Sequence, residues 1–578
     1  MDATSATSAM DPIDPTDPTD SMDAMDAMNP MDKDTPMPAH LYRNARIFTA
    51  DRRPRAESLV VVDDKLAYVG DDATATRVAG EDAVVHDLGG ATVLPGFVDG
   101  HAHVVGTGEA AVQVDLWGAN TVEEIQRRIR TWAEKNPEAP RVLATGWKHG
   151  DIPGGVPDRG MLDAVVADRP VYAQAYDFHS IWLNSAALAE AGIDDTTASP
   201  PGGTVHRDAR GAATGLVDET AMHHLVWPVL DRFATDSDRD EALAVVLAAY
   251  AESGIVGSTE MALVEGDYEA MRRADAAGAL TTRIAAFWRV QPTGDEAGNL
   301  AQVERAAELA VREATPFLRV TGIKVMVDGT VDGCTASLGK PYVNGSNADP
   351  IWSLAELAPV VAAADAAGLQ VAMHAIGDEA IRVAIGAVEH AVAVNGPKER
   401  RHRIEHLEVA DPADIDRLAA LGITASMQPV HADPAIQENW RRMLGDERAD
   451  RGFPWPEMTG AGATLVLGTD SPTSPHAPLP NMFVAATRRS ALDPSLPANI
   501  AHYALPLADA IVHATRDAAW ASRSEHLHGR LAEGLYADFV VLDRDIFARP
   551  LDELLDTRVL RTVVGGRAVH HAQPEVAR

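Results

Sequence analysis

Apolar runs and amphipathic segments alternate along most of the chain. Short runs rich in Val, Ile and Leu are mostly followed by segments with a helical spacing of apolar residues, such as "LAELAPVVAAADAAG" and "PADIDRLAALG". Several of these segments end at a Gly, which is typical of a helix C-terminus. Eight strand-then-helix units predict an α/β fold in which a parallel sheet closes on itself, a (β/α)8 TIM barrel. The predicted strands are 93–99, 254–260, 283–290, 318–327, 369–374, 402–408, 423–428 and 464–470.

The two ends of the chain carry a different pattern. Residues 39–92 and 530–572 contain short β-branched runs separated by Asp, Gly and Asn, which is typical of strands and turns. We expect these ends to form one small composite β-sandwich domain, with the barrel at 93–529. The interval between the first two barrel strands is too long for one crossover, so we expect an inserted subdomain at about 140–225. Residues 1–38, rich in Asp, Met and Pro, are expected to be a disordered acidic leader.

Composition narrows the class of partner. The 578 residues carry a formal net charge of −35, which disfavours nucleic acid and anionic membranes because both would be repelled. We expect a small neutral or cationic molecule as the ligand, and a homodimer as the assembly. The single cysteine, Cys334, fits a reducing compartment and is expected to be a small packed residue. No apolar stretch approaches the length of a spanning helix, so we expect a cytoplasmic protein.

Polar side chains stand at the ends of several predicted barrel strands. Active groups of such a barrel lie at the C-terminal ends of its strands, so we expect these residues to meet at one mouth. His101 and His103, two apart in "LPGFVDGHAH", would face the same side of a strand and suggest a shared metal ion. Imidazole and carboxylate groups are common ligands of zinc and other transition metals. The predicted cluster comprises His101, His103, Lys324, His374, His406 and Asp470.

Lys324 is the unusual member of this cluster. Ile323, Val325 and Val327 alternate with it in "GIKVMVDG", which aims the lysine into the barrel. A bare ammonium would be repelled by metal ions, whereas a lysine that has reacted with CO2 presents an anionic carbamate that can bridge two of them. The alternative is a buried lysine paired with a carboxylate such as Asp328, with one metal held by the other ligands.

Seven sequence blocks follow one another along the chain: "LPGFVDGHAH", "YDFHSIWLNSAALAEAGI", "GIKVMVDGTVDGCTASLGKPY", "MHAIGDEAI", "HRIEHLEVADP", "SMQPVHADP" and "GAGATLVLGTDSPTSPHAPLPNMFVAATRR". Together they resemble the amidohydrolase superfamily, in particular the amidohydrolase family 3 branch that includes N-substituted formamide deformylases. The resemblance covers roughly residues 40–572 and leaves out only the leader. One departure is Phe178, which stands where the family often has a small residue.

The resemblance implies a binuclear metal centre. Zinc is the expected metal, with manganese, iron or cobalt as alternatives that suit the same ligands. Asp470 would also be the catalytic residue, since contact with both metal and water lets it accept and deliver a proton. In the implied ligand set the more buried metal is held by His101, His103 and Asp470, the second metal by His374 and His406, and N6-carboxylated Lys324 bridges the two.

The implied reaction is the hydrolysis of a C–N bond in an amide-like small molecule, such as an N-substituted formamide or a related linear amide, by metal-activated hydroxide. The alternatives are a mononuclear aminohydrolase (deaminase) of a cyclic amidine, a cyclic imide or amide hydrolase, and a non-enzymatic metal-binding or regulatory protein. Lys324 favours the first function because a deaminase has no use for a carbamate. The presence of every ligand argues for an enzyme.

Other side chains are candidates for the substrate pocket. His179 and Asp177, in the inserted segment, could line the pocket or support an oxyanion, and Trp182 and Trp147 could contact an apolar substituent. Packing of the insertion against the barrel explains these four residues equally well. Asp328 is a further candidate for the pocket or for orienting a ligand. We also expect Glu405 to orient a metal ligand. We expect four other histidines to lie at the surface: His223, His224, His570 and His571.

Overall fold

Eight parallel strands form the barrel, which confirms the prediction made from the alternating pattern. The computed structural model describes residues 38–153, 156–200, 202–312 and 314–572, so the expected leader lies outside the described residues except for Pro38. Each barrel strand pairs with its neighbour in chain order. We label these strands β1 (Phe97–Ala102), β2 (Ile255–Leu263), β3 (Arg283–Val290), β4 (Leu318–Met326), β5 (Gln370–Ala375), β6 (Arg403–His406), β7 (Thr424–Met427) and β8 (Leu465–Leu467).

Backbone hydrogen bonds between the ends of β1 and β8 close the barrel. The amide of Asp470 donates to the carbonyl of His101 at 2.7 Å, and the amide of His103 donates to the carbonyl of Ser471 at 2.8 Å. Gly468 packs directly against β1, where an added Cβ would lie 2.5 Å from the backbone nitrogen of His101. The segments that close the barrel therefore also carry three of the candidate metal ligands.

Helices surround the barrel, and local capping explains where several of them begin and end. Thr235 with Asp238, and Ser353 with Glu356, form capping boxes at the N-termini of two outer helices. Gly254, with a φ of 87°, ends the first of these helices. Across the part of the chain that the structure describes, every helix is too short or too polar to cross a membrane. The barrel helices are Val104–Val112, Asp236–Ser253, Glu265–Ala276, Glu296–Val311, Leu354–Ala366, Asp378–Asn395, Pro412–Ala420, Gln437–Leu444, Asp446–Ala449, Trp455–Gly460, Pro478–Thr487, Leu507–His513 and Arg516–Ala521.

The predicted first strand, 93–99, is in fact two strands in different sheets. Thr92–Pro95 pairs antiparallel with Phe539–Leu542, whereas β1 begins only at Phe97. Gly96 lies between the two strands and is pressed against Val256, where an added Cβ would approach Cγ1 to 2.2 Å. The hydrophobic pattern contains no sign of this change of sheet, because both strands are buried along their whole length.

Strands from both ends of the chain form two facing sheets. The rings of Tyr42 and Phe539, which belong to different sheets, meet edge to face with centroids 5.0 Å apart. The helix Asp72–Ala79 packs on the smaller sheet. The smaller sheet contains His40–Arg43, Ser58–Val62, Lys65–Gly70 and Val84–Asp87, and the larger contains Arg46–Phe48, Arg55–Ala56, Thr92–Pro95, Phe539–Leu542, Val559–Val564 and Arg567–His571.

A six-stranded sheet is inserted between β1 and β2. It starts at Val114, ahead of the predicted start near 140, because the short strand Val114–Asp115 pairs with Val142–Trp147. Side chains tie the insertion to the loop after β4: Tyr176 donates to Asp332 at 2.7 Å, and Thr330 donates to Asp177 at 3.0 Å. The inserted strands are Val114–Asp115, Val142–Trp147, Val171–Ala175, Ser180–Leu183, Gly203–Arg207 and Ala213–Asp218, and the inserted helices are Val122–Lys135, Arg159–Asp163, Ser185–Glu190, Glu219–Ala221 and Trp227–Phe233.

Candidate metal centre

The closing segments of the barrel bring His101, His103 and Asp470 together. Nε2 of His101 lies 3.3 Å, and Nε2 of His103 lies 3.2 Å, from Oδ1 of Asp470. One ligand atom from each of the three residues falls within 4.8 Å of the others, a spacing that suits a single ion. Asp470 follows β8 with a left-handed φ of 57°. This part of the predicted cluster is therefore assembled in the structure.

A buried ion pair behind His101 sets the orientation of its ring. Oε2 of Glu405 lies 2.7 Å from Nδ1 of His101, so the proton of the imidazole is directed to Nδ1 and Nε2 faces Asp470. Nε of Arg403 donates to the other oxygen of Glu405 at 2.6 Å. Burial opposes ionisation of Glu405, but Arg403 and His101 hold the pKa of its carboxyl well below the usual range. Glu405 thus occupies the place expected for a residue that orients a ligand.

Lys324 reaches the same cluster from β4. It is buried, and its Nζ lies 3.4 Å from Nε2 of His101. Within the described ranges, no carboxylate forms an ion pair with it, and burial lowers its pKa to about 8. Asp328 is not its partner, because that carboxylate accepts the backbone amides of Ile376 and Gly377 at 3.0 and 2.9 Å. The alternative in which Lys324 pairs with Asp328 is therefore not what the structure contains.

His374 and His406 complete the predicted set. Their ring centroids are 4.4 Å apart, and the ring of His406 lies 5.0 Å from that of His101. Burial is the main reason that the pKa values of His374 and His406 are well below the usual range, so both rings carry a free lone pair. Nδ1 of His406 and Oδ1 of Asp470 are buried and make no hydrogen bond with the described residues. Buried nitrogen and oxygen atoms without partners, on neutral imidazoles and a carboxylate, fit a metal centre.

Residues 84–570 match a family model described as an amidohydrolase family. The chain belongs to the amidohydrolase family. It is 27% identical over 547 residues to an N-substituted formamide deformylase of Arthrobacter pascens, which covers 90% of this chain and 96% of that protein. It is 28% identical over 553 residues to Protein LONG AFTER FAR-RED 3 of Arabidopsis thaliana, which covers 92% of this chain and 91% of that protein. An uncharacterized metal-dependent hydrolase from Pyrococcus horikoshii has a similar fold, with a TM-score of 0.72, 24% identity, and coverage of 89% of this chain and 99% of that one.

This amidohydrolase is accordingly a metal-dependent hydrolase that acts on carbon–nitrogen bonds. Two residues beside its centre, Glu408 and His431, were not predicted from the sequence. His406, Glu408 and His431 form a second group whose ligand atoms lie within 4.8 Å of one another. Nε2 of His431 is 3.8 Å from Oδ2 of Asp470. His431 follows β7, so the strand-end rule that selected the other ligands would also have selected it.

Glu219 is a further residue that the sequence analysis missed. Its Oε2 lies 2.9 Å from Nδ1 of His179, and its Oε1 has no hydrogen-bond partner among the described residues. Burial opposes protonation of His179, but Glu219 raises the pKa of its imidazole to about 9. The ring of His179 lies 5.0 Å from that of His374. Phe178, the departure from the family pattern, has a left-handed φ of 60°, a conformation that favours a small residue.

The cavity over the centre contains only some of the predicted substrate-pocket residues. It encloses about 480 Å³ of empty space, part of it open to solvent, and Asp177 and His179 line it. Trp147 and Trp182 do not, because both are fully buried in the core of the insertion, where their indole nitrogens donate to Ala173 and Asp158. Asp328 lies behind His374, 3.6 Å from its Nε2, and not in the cavity wall. The structure thus places Asp177 and His179 at the cavity and Trp147, Trp182 and Asp328 away from it, with Asp328 beside His374, where it could orient that ligand.

Two minor expectations can also be compared with the structure. His223 is buried and not at the surface, because its ring packs on Trp227 with centroids 4.4 Å apart. Cys334 is half-buried, with its sulfur 3.3 Å from that of Met443, which agrees with a packed residue. His570 and His571 lie on an outer strand of the sandwich and are at least partly exposed.

Proposed function

We propose that this amidohydrolase cleaves linear amides, and specifically N-substituted formamides, at a binuclear centre. The observation that carries the proposal is Lys324, a buried lysine that reaches Nε2 of His101 and has no carboxylate partner among the described residues. A carbamate on Nζ would turn this position into an anionic bridge between two cations. The formamide is chosen because the relative from Arthrobacter pascens is named as an N-substituted formamide deformylase.

The chain's own side chains divide into two ligand sets. His101, His103 and Asp470 would hold one ion, His374 and His406 the other, and carboxylated Lys324 would touch both; zinc is proposed, with manganese, iron and cobalt as alternatives. Divalent ions held by these residues would lower the pKa of a bound water and polarise a carbonyl oxygen. Glu405 keeps Nε2 of His101 directed at the centre by holding its Nδ1 proton.

Asp470 is the proposed catalytic residue. Its carboxylate is buried but flanked by His101, His103 and His406, which hold its pKa well below the usual range, so it is ionised and able to accept a proton. The carboxylate would accept a proton from the attacking water as the C–O bond forms, and would deliver that proton to the departing nitrogen as the C–N bond breaks. His179 and His431 both line the cavity, and in this proposal they orient the amide before the C–N bond breaks.

The test combines metal analysis with a substrate screen. The purified full-length protein is assayed for bound metal and for hydrolysis of N-substituted formamides, linear amides, cyclic imides and cyclic amidines. About two equivalents of metal with release of formate from formamides is the expected result. Hydrolysis of cyclic imides in place of formamides would contradict the choice of substrate while retaining the centre.

A second candidate function is the mononuclear deamination of a cyclic amidine. The observation that favours it is the compact group of His101, His103 and Asp470, whose ligand atoms can hold one ion without Lys324. One metal equivalent together with ammonia release from a cyclic amidine would replace the proposed function with this one.

A further inference from the structure

The cavity over the metal centre has an acidic wall. Asp177, Asp332 and Glu408 line it, and within the described part of the chain no lysine or arginine does. Two histidines outside the proposed ligand set also line it, His179 and His431, and each already faces a carboxylate. Glu408 is thus paired with His431, whereas among the described residues neither Asp177 nor Asp332 forms an ion pair with a basic side chain, so the negative charge of these two has no direct partner.

Asp332 is held in this wall by neutral groups only. Its two oxygens accept hydrogen bonds from Oη of Tyr176 at 2.7 Å and from Nδ2 of Asn439 at 2.8 Å. Burial, with the nearby charges of Asp177 and Glu408, raises the pKa of its carboxyl to about 6. The carboxylates are thus close enough to repel one another, and a cation placed among them would relieve that repulsion.

Gln437 and Trp440 give a second, independent indication of the ligand. Gln437 is buried in the cavity wall, its Nε2 donates to the carbonyl of His431, and its Oε1 has no partner among the described residues. A buried acceptor without a donor is suited to a ligand that brings an N–H group. Trp440 lines the same wall and donates its indole N–H to Glu408 at 2.9 Å, which holds that carboxylate in place.

We propose that this wall, formed by Asp332, Glu408, Gln437 and Trp440, binds a positively charged nitrogen of the substrate. The substrate class is then an amide whose N-substituent ends in an ammonium or guanidinium group. This proposal rests on the proposed function and adds the charge of the substrate to it. A carboxylate at the same position of the substrate would be repelled by Asp332 and Glu408.

The first experiment compares three formamides of equal chain length whose N-substituents end in an ammonium, a methyl or a carboxylate group. We expect kcat/KM to fall by about tenfold or more from ammonium to methyl, and further for carboxylate. Asp332→Asn should reduce the preference for ammonium over methyl to about threefold or less. Asp349→Asn, at an exposed position of the same loop, is the control and should keep the preference. Equal kcat/KM for all three substrates would overturn the proposal.

A binding experiment separates this inference from the proposed function. Pentylammonium chloride and pentanol are titrated calorimetrically into the full-length protein and its variants. We expect the ammonium to bind about tenfold or more tightly than the alcohol in wild type and in Asp349→Asn, but not in Asp332→Asn or Gln437→Leu. The Gln437 variant provides the test if Asp332→Asn does not fold. Selective ammonium binding without hydrolysis of any amide would refute only the proposed function, whereas equal binding of the two probes would refute the cation site.

Discussion

Lys324 and Glu405 contact opposite nitrogens of the same imidazole. Nζ of Lys324 lies 3.4 Å from Nε2 of His101, and Oε2 of Glu405 lies 2.7 Å from Nδ1. The carboxylate directs the proton of the ring to Nδ1, so Nε2 can only accept. An ammonium at the Lys324 position would compete with a metal ion for that lone pair, which is why carboxylation of the lysine changes the chemistry of the centre.

Substitution of Lys324 tests the bridge directly. Lys324→Met removes the group that would carry the carbamate, and we expect bound metal to fall from about two equivalents to about one and kcat/KM to fall by about a thousandfold or more. Metal analysis and steady-state kinetics measure both effects. Lys340→Met, at an exposed position, is the control and should change neither quantity. Two equivalents of metal retained in Lys324→Met would contradict a bridging lysine.

The residues of the centre were predictable to different degrees. The rule that functional groups stand at strand ends selected the residues that the structure brings together, because strand ends can be recognised from hydrophobic runs. His431 lies within the 3-10 helix Pro429–Ala432 that follows β7, where the same rule applies, whereas Glu219 lies in the insertion, which the rule does not cover. The burial of Trp147 and Trp182 in the core of the insertion could not be predicted, since the composition of a segment does not indicate which face of an inserted sheet its large side chains occupy.

Several turns around the metal centre have backbone conformations that residue propensities would not predict. His406, Asp470, Glu219 and Phe178 all have left-handed φ values, between 52° and 76°. Such conformations are uncommon outside glycine and concentrate at functional sites, where the surrounding structure enforces them. The directions of the side chains on these turns could therefore not be predicted from the sequence, although the barrel strands could.

The end of the helix Leu354–Ala366 is tied to the segment 395–402 through Asp365. This carboxylate accepts hydrogen bonds from Asn395, Arg400 and His402 at 2.8, 3.0 and 3.1 Å. Burial opposes ionisation, but these bonds and nearby Lys398 hold the pKa of Asp365 well below the usual range. A depressed pKa in the folded state means that the contribution is complete above the unfolded value, near 4, and is lost as the pH falls below it.

Asp365→Asn should therefore change the pH dependence of stability. At pH 7 we expect the free energy of unfolding to fall by about 2 to 3 kcal/mol, because Arg400 loses its charged partner. Below about pH 4 the difference between wild type and variant should shrink progressively, since Asp365 of the unfolded wild type becomes protonated there while the folded carboxyl takes up its proton only at much lower pH. Denaturant unfolding at a series of pH values measures this, with Asp416→Asn at an exposed helix position as the control. A difference that is constant with pH would contradict the assigned role.

The sandwich and the barrel are joined by a buried ion pair. Arg283, at the start of β3, donates to both carboxylate oxygens of Asp538 at 2.6 and 3.1 Å, and Asp538 directly precedes the strand Phe539–Leu542. The guanidinium also lies over the ring of Tyr536, 4.1 Å from its centroid. A charge left unpaired at this position would be far from water.

Asp538→Ala should destabilise the whole molecule and leave the metal centre intact. We expect a loss of about 3 to 5 kcal/mol in the free energy of unfolding, because Arg283 remains buried without its partner. The double variant Arg283→Met/Asp538→Leu should recover most of this loss. Denaturant unfolding measures stability, and metal analysis of the folded variants should match wild type. A double variant as unstable as the single one would show that the ion pair is not the cause.

At the scale of the whole molecule, periodicity was enough to predict the barrel. The alternation of strands and helices is a local signal that can be recognised along the chain. The β-branched runs at both ends suggested a composite domain. The residue at which the chain passes from one sheet to the other, Gly96, could not be predicted from the sequence. Its position depends on a close approach to Val256 and not on any change in hydrophobic pattern. Contacts between distant segments decide such details, and one sequence does not record them.

The pairing of Thr92–Pro95 with Phe539–Leu542 imposes an order on biosynthesis. At a typical elongation rate of about 5 to 20 residues per second, the earlier strand is made about 20 to 90 seconds before its partner. During that interval its edge is open, and the larger sheet can be finished only after the barrel segment has been translated. We therefore expect a holding chaperone to bind the first strands of the nascent chain until the last strands have been synthesised.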